Sequence, residues 1–171
     1  MDKPPRQPLR PDQYTTPSIS DRHCELMGEA IANWANLEVH LDILIWCLVK
    51  MSDEDGRILT TRIDANQKIQ ILRVLSRRNA TGLFESFKVN ELLNKIDELR
   101  DDRNFLVHGT WRTLIPDNEP FGSSLRQKAE PGMVSSETFP EARMNEIIQN
   151  IKISIQYLRR FREAIVALHG K

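Results

Sequence analysis

The chain has 171 residues, which is enough for one domain with a well-buried core, or for one domain with tails. Its 24 lysines and arginines balance its 24 aspartates and glutamates, so the formal net charge is zero. This balance argues against a protein that coats nucleic acid, because such proteins are usually strongly basic, but it leaves room for a small basic cleft.

Nothing in the sequence predicts a membrane or secretory protein. The longest apolar run, Ile43 to Val49, is far too short to cross a bilayer. The N-terminal residues lack the apolar core of a signal peptide. Cys24 and Cys47 fall on one predicted helix, too far apart to pair, so we expect free thiols in a reducing cytoplasm.

The chain begins with a proline-rich arm and continues into a long helix. Residues 1–17 carry five prolines and few large apolar groups, which predicts an extended or disordered arm, either a solvated tail or a docking segment. A helix should begin near Ser18 or Ser20, since either is a good N-cap, and end near Lys50.

One residue interrupts the wide apolar face of this first helix. Apolar residues recur at helical spacing: Met27, Ala30, Ile31, Trp34, Leu37, Leu41, Leu44, Ile45 and Leu48. Glu38 occupies a position within this pattern. A buried carboxylate needs a partner, whereas His40 and Asp42 lie off the stripe and are interpreted as surface residues.

The next region should be helical, with a break near Asp64. Ser52 is a plausible N-cap followed by acids, and residues 79–82 are typical of a turn. Arg73, Arg77 and Arg78 form a basic cluster at the end of this region. The cluster is either a solvated helix end favoured by the helix dipole or a patch that contacts RNA.

A third main helix is predicted from about Glu85 to His108, and an arginine breaks its apolar pattern. Apolar residues recur in steps of three and four, at Val89, Leu92, Ile96 and Leu99, and the next step of four is Arg103. A buried guanidinium requires an acid, a bound anion or a partner chain. The simplest inference is that Arg103 and Glu38 meet, or that both face one polar cleft.

Two further polar residues follow Arg103. Asn104 and His108 are four residues apart and share a helix face. Gly109 is a natural C-cap, and its bend can bring His108 towards Arg103. The alternative is that Arg103 extends its guanidinium to solvent and that His108 is an ordinary residue at a helix end.

The last third of the chain holds an irregular segment and a final helix. Residues 110–138 contain prolines, glycines and serines without helical period, and Thr110 to Ile115 suits a short strand, so we expect a loose β-hairpin or an ordered loop. The last helix should begin near Pro140 and end near His169. The predicted fold is an all-α bundle of four to five helices in one domain over residues 18–171.

The arrangement of Arg103, Asn104 and His108 resembles the HEPN (higher eukaryote and prokaryote nucleotide-binding) superfamily. Its hallmark is an arginine, a polar residue directly after it, and a histidine after a gap of four to six residues, at the end of a bundle helix. The gap here is four residues and the polar residue is Asn104. Trp34 and Leu37-Glu38 on the long first helix also resemble bacterial members.

The resemblance implies a metal-independent endoribonuclease that acts as a cytoplasmic homodimer, in many cases as a toxin or defence effector with an antitoxin or other protein partner. It implies that Arg103 holds the scissile phosphate, that His108 transfers protons, and that Asn104 orients the phosphate or His108, with Glu38 as a supporting residue. Toxins controlled by nucleotidyltransferases usually carry tyrosine two residues after the histidine. Thr110 occupies that position here, which argues against such control.

Other functions stay open at this point. Some members of the superfamily are non-catalytic, and in that case the chain is a dimerisation or docking module with a structural Glu38–Arg103 pair. A nucleotide sensor is less well supported, because no glycine-rich phosphate loop is present. We expect no cofactor and no metal, since none of the four histidines and two cysteines has zinc-site spacing.

Overall fold

The computed structural model describes residues 19–113, 120–124 and 135–169, and it confirms the predicted all-α helical class. The helices in these residues are α1 (Asp21–Val49), α2 (Asp53–Thr60), α3 (Ala65–Asn79), α4 (Thr81–Ser86), α5 (Val89–His108) and α6 (Glu141–His169). Three short strands, β1 (Thr110–Thr113), β2 (Pro120–Ser124) and β3 (Ser135–Thr138), lie between α5 and α6. The predicted arm over residues 1–17 lies outside the described residues. No helix that is described has the length and apolar composition needed to cross a membrane.

Local hydrogen bonds explain where α1 begins and ends. The Ser20 hydroxyl accepts from the His23 amide at 3.3 Å, so Ser20, one of the two predicted N-caps, caps the helix. At the other end Lys50 has a positive φ of 56°, and the Met51 amide donates to the Trp46 carbonyl at 3.0 Å. This left-handed residue and backward hydrogen bond form a Schellman-type end, which stops the helix at Val49.

The break predicted near Asp64 is present, and it is built from side-chain caps. The Ser52 hydroxyl accepts from the Asp55 amide at the start of α2. The Asp64 carboxylate accepts from the Gln67 amide at 2.8 Å, and the Gln67 side chain accepts from the Asp64 amide. This reciprocal capping box starts α3.

Two predictions about the following segment are wrong. Residues 79–82 do not form a turn, because Ala80 alone separates α3 from α4. The predicted helix from about Glu85 to His108 has the wrong start, since α4 ends at Ser86 and α5 begins at Val89, whereas its end at His108 is confirmed. Between them Lys88 adopts a positive φ of 49°, which a continuous helix does not permit.

The described residues fall into two compact units. Unit 1 comprises residues up to Ile31 and from Asp102 to Ile147, and unit 2 comprises Ala32–Asp101 and residues from Ile148 onwards. The prediction of a single domain is not tested by this division. In unit 2, α2 lies directly on Trp46: a Cβ on Gly56 would come within 2.5 Å of the indole ring, so only glycine fits there. The indole Nε1 donates to the Thr60 hydroxyl at 3.2 Å.

Unit 1 contains the strands, and they form a three-stranded antiparallel sheet in the order β1-β2-β3. Trp111 pairs with Gly122, and Gly122 pairs with Glu137. The predicted hairpin is therefore extended by a third strand. β1 ends at Thr113, and the predicted continuation to Ile115 lies outside the described residues. The core of unit 1 is apolar: Leu26, Ala30, Phe105, Leu106, Phe139, Met144 and Ile147.

Candidate functional site

The C-terminal turn of α5, in unit 1, holds the three residues predicted to carry the chemistry. His108 is the last residue of α5, and the following Gly109 amide donates to the Phe105 carbonyl at 2.8 Å. A Cβ on Gly109 would come within 2.7 Å of the same carbonyl oxygen. Glycine therefore allows the chain to leave the helix directly after His108 and enter β1.

Arg103 is half-buried and is held by a neutral group. Its Nη1 donates to the Asn104 side-chain oxygen at 3.0 Å, so the structure brings these two predicted residues together. The Nε atom is buried and has no hydrogen-bond partner, and no ion pair involves Arg103 within residues 19–113, 120–124 and 135–169. Because an amide carries no charge, the guanidinium keeps its full positive charge.

His108 is exposed at the end of α5. In the described parts of the chain its ring makes no hydrogen bond to Arg103 or Asn104. Asn104 is also exposed, four residues before His108, so both side chains lie on the solvent side of the same helical turns. The predicted approach of His108 towards Arg103 stays a prediction.

An aromatic cluster, defined here as Phe105, Trp111 and Phe139, fixes the end of α5. Phe105 stacks on Phe139 with ring centroids 5.1 Å apart, and Trp111 meets both rings edge-on at 5.9 and 5.3 Å. Trp111 Nε1 also donates to the Leu106 carbonyl at 3.1 Å. That carbonyl is one of the last of the helix and has no helical partner of its own, so the indole caps α5 beside His108.

An ion pair ties the same end of α5 to the start of α6. Arg143 places its guanidinium carbon 3.9 Å from the Phe139 ring centroid, and its Nη2 lies 3.2 Å from the Asp102 carboxylate. Asp102 directly precedes Arg103 in the chain, but it pairs with Arg143. Sequence reasoning did not predict the roles of Phe139, Arg143 and Asp102. The aromatic residues flanking the motif, Phe105 and Trp111, were the available signal.

Glu38 is the predicted partner of Arg103. It is half-buried on α1, in unit 2, and it forms no hydrogen bond or ion pair with any residue that the structure describes in that unit. Glu38 and Arg103 belong to different units, so their expected pairing stays a prediction. A polar cleft shared by the two residues stays a prediction.

Asp42 on α1, which was expected at the surface, is partly buried and forms an ion pair. Lys68 Nζ of α3 lies 2.8 Å from Asp42 Oδ1 and donates to Oδ2 at 2.9 Å. The two side chains are only 8% and 16% exposed for Lys68 and Asp42. Both residues belong to unit 2, where this pair joins α1 to α3.

His40 is also less exposed than expected. Its Nε2 accepts from Arg159 Nε at 3.1 Å. Burial lowers the pKa of His40 from its ordinary value, and the positive charges of Arg159 and Arg162 lower it further. Cys24 and Cys47 are both free, and partial burial raises the pKa of the Cys47 thiol.

Within the described residues, no group of three or more histidine, cysteine, aspartate or glutamate side chains is placed to hold a metal ion. No family model, curated protein or solved structure matches the chain. The resemblance to the HEPN superfamily therefore stays a prediction, and the candidate site depends on the geometry around Arg103.

Proposed function

We propose that this chain is a HEPN-like endoribonuclease that cleaves RNA without a metal ion, as a cytoplasmic homodimer. The observation that carries the proposal is Arg103: a half-buried guanidinium with no acid partner in the described residues, held by Asn104 at a helix end where His108 is exposed. The Nε atom of Arg103 is buried without a hydrogen-bond partner, whereas buried charged side chains are normally paired. An unpaired one is suited to an anion that arrives from outside, such as a phosphodiester.

The proposed reaction is transesterification followed by release of the product. The ribose 2′-oxygen attacks phosphorus and the P–O5′ bond breaks, which leaves a 2′,3′-cyclic phosphate and a 5′-hydroxyl. One protomer's His108 removes the 2′-hydroxyl proton, and the partner's His108 protonates the departing 5′-oxygen. Histidine suits both steps because it titrates near neutral pH. Arg103 stabilises the charge that builds on the phosphoryl oxygens, and Asn104 keeps the guanidinium in place.

The test is cleavage of a mixed RNA pool in excess chelator. The proposal predicts fragments ending in 2′,3′-cyclic phosphate, no cleavage of DNA of the same sequence, and no stimulation by magnesium. DNA should resist because it lacks the attacking 2′-hydroxyl. Light scattering at micromolar concentration should give the mass of a dimer. A monomer that cleaves RNA would contradict the two-histidine mechanism, although not the role of Arg103.

A toxin or defence role, with an antitoxin or another protein as partner, is part of the same proposal and is tested by growth arrest on expression. Growth arrest that disappears in His108→Ala would support it. Growth unaffected by the wild-type chain would count against it.

The second candidate is a non-catalytic docking module. Exposed apolar side chains on α6 favour it: Ile153 and Tyr157 are about half exposed and lie one turn apart, in unit 2. In this case a folded dimer would cleave no RNA, and replacing both residues with serine would weaken self-association.

A further inference from the structure

The solvent side of α3, in unit 2, carries positive charge without any acid. The helix, Ala65–Asn79, contains no aspartate or glutamate. Its lysine, Lys68, is buried and paired with Asp42. The other cations are Arg73, Arg77 and Arg78, which form no ion pair in the residues that the structure describes. Their charge is therefore uncompensated at the last turns of the helix.

Arg73 is fixed in place by two neutral side chains. Its Nη1 donates to the Asn90 side-chain oxygen, and its Nη2 donates to the Asn94 side-chain oxygen at 3.0 Å. The two asparagines are four residues apart on α5 and so present their amides on one face. The nearby acid Glu91 pairs with Lys88 instead. Amides orient the guanidinium but do not neutralise it, and its remaining N–H groups stay available.

Arg77 is oriented by an aromatic ring. Its guanidinium carbon lies 5.3 Å from the centroid of the Phe84 ring on α4. A cation–π contact of this kind also leaves the positive charge in place. Arg73 and Arg77 are four residues apart, so two guanidinium groups project from adjacent turns of one helix face, with their Cβ atoms about 5–6 Å apart.

The residues around these arginines suit a single-stranded polyanion. Gln70, Val74, Arg77 and Arg78 are all exposed at helical spacing, and Val74 is 66% exposed. Guanidinium and amide groups bind phosphate oxygens, and an exposed apolar side chain can contact an unpaired base. A simple solvated helix end would explain arginines near a C-terminus. It gives no reason for two asparagines and a phenylalanine to hold two of them in fixed positions.

We propose that Arg73, Arg77 and Arg78 form a binding surface for the phosphodiester backbone of single-stranded RNA. The choice of RNA as the polyanion rests on the proposed ribonuclease function. The surface itself is separate from the cleavage residues Arg103, Asn104 and His108, and it contributes affinity for substrate, not chemistry.

The test is fluorescence anisotropy of a labelled 2′-O-methyl RNA oligonucleotide, which cannot be cleaved because its 2′-oxygens carry methyl groups. The double variant Arg73→Gln/Arg77→Gln should bind at least tenfold more weakly than the wild type. The dependence of log affinity on log salt should also become less steep by about 1.4, since each phosphate contact on a single strand contributes about 0.7. Arg78→Gln, which removes no contact within the described residues, should reduce the slope by about 0.7 without affecting the fold.

The matched control is Arg57→Gln/Arg160→Gln. Both arginines are exposed, lie on α2 and α6, and form no ion pair in the described residues, so the loss of net charge is the same. The affinity of this control variant for the oligonucleotide should stay within about twofold of the wild type. If the control and the α3 double variant lose the same affinity, the effect is one of net charge and the proposed surface is wrong. Displacement of the oligonucleotide by a polyglutamate peptide at equal charge concentration would overturn RNA as the ligand.

This binding result is independent of cleavage. A ribodinucleotide has a single phosphodiester, which the proposed cleavage residues must hold, so its cleavage tests Arg103 and His108 alone. Normal binding with no dinucleotide cleavage would contradict the proposed function and leave the surface intact. Dinucleotide cleavage together with unaltered binding by the α3 variants would contradict the binding surface and leave the proposed function intact.

Discussion

The Asp42–Lys68 pair in unit 2 and the Arg103 end of α5 in unit 1 show two ways in which this chain places charge below its surface. Asp42 and Lys68 compensate each other at 2.8 Å and are almost fully enclosed. Arg103 has only the Asn104 amide, and its buried Nε has no partner. In the first arrangement each charge is neutralised by another residue of the same chain. The second leaves the guanidinium without an acid partner among the described residues, and the proposed function rests on this difference.

The largest expected effect is on the compensated pair. Asp42→Ala leaves the Lys68 ammonium buried without a counter-charge, so the free energy of unfolding should fall by about 3–5 kcal/mol. Urea denaturation followed by circular dichroism measures it. The double variant Asp42→Ala/Lys68→Met, which removes both charges, should recover much of the loss. A single variant that loses less than about 1 kcal/mol would show that the pair is not buried in solution.

Gly109→Ala should have a smaller effect on stability. Its added Cβ would lie 2.7 Å from the Phe105 carbonyl oxygen, so the end of α5 must move, at about 1–3 kcal/mol. Because His108 is the preceding residue, the fractional loss of the RNA cleavage rate should exceed the fractional loss of the free energy of unfolding. Gly28→Ala is the control: it lies in α1 with nothing within 4 Å of the added atom, and it should be neutral or slightly stabilising. Full activity in Gly109→Ala would contradict the positioning role of this turn.

Arg103→Gln should change the free energy of unfolding by no more than about 0.5 kcal/mol, since it removes a charge that no acid compensates. Arg143→Gln, which breaks the contacts to Asp102 and Phe139, should be the more destabilising of the two. The reverse order, measured by thermal unfolding, would indicate that Arg103 is structural and would favour the docking module.

The smallest effect is a pH dependence from His40. Its pKa is lowered in the folded protein by burial and by Arg159 and Arg162, so the folded state binds fewer protons than the unfolded state. The free energy of unfolding is then at its full value above the ordinary pKa of histidine, and it falls as the pH decreases through the lowered pKa of His40. His40→Gln should reduce the loss of stability between about pH 7.5 and pH 5.5. An unchanged loss would assign the acid sensitivity to other groups.

Helical periodicity in the sequence was enough to predict the fold class, and local capping residues predicted two helix boundaries. One helix boundary and one strand were missed. Ser20 and the break at Asp64 were predicted because capping depends on neighbouring residues alone. The separation of α4 from α5 depends on Lys88 in a left-handed conformation, which no residue type signals there. The third strand pairs residues that are distant in sequence, and spacing arguments do not predict such pairing.

The candidate site was predictable only in part, for a related reason. The spacing of apolar residues on α5 singled out Arg103, and the Asn104 contact is local. The expectation that Asp42 lies at the surface was wrong, because apolar stripes show which face of a helix is covered but not which residues of another helix reach it. Phe139 and Arg143 follow the three strands in the sequence. Their contacts, Phe139 with Phe105 and Arg143 with the Phe139 ring, are visible only in the folded structure.

The most direct test of the central claim is to measure cleavage and stability together on His108→Ala and Arg103→Gln. The purified proteins are incubated with RNA in excess chelator, and their thermal unfolding is recorded on the same samples, with Gly28→Ala as the control. Both variants should lose cleavage by at least a hundredfold while their unfolding temperatures stay within a few degrees of the wild type. Cleavage that persists in His108→Ala, or that requires magnesium, would contradict the central claim.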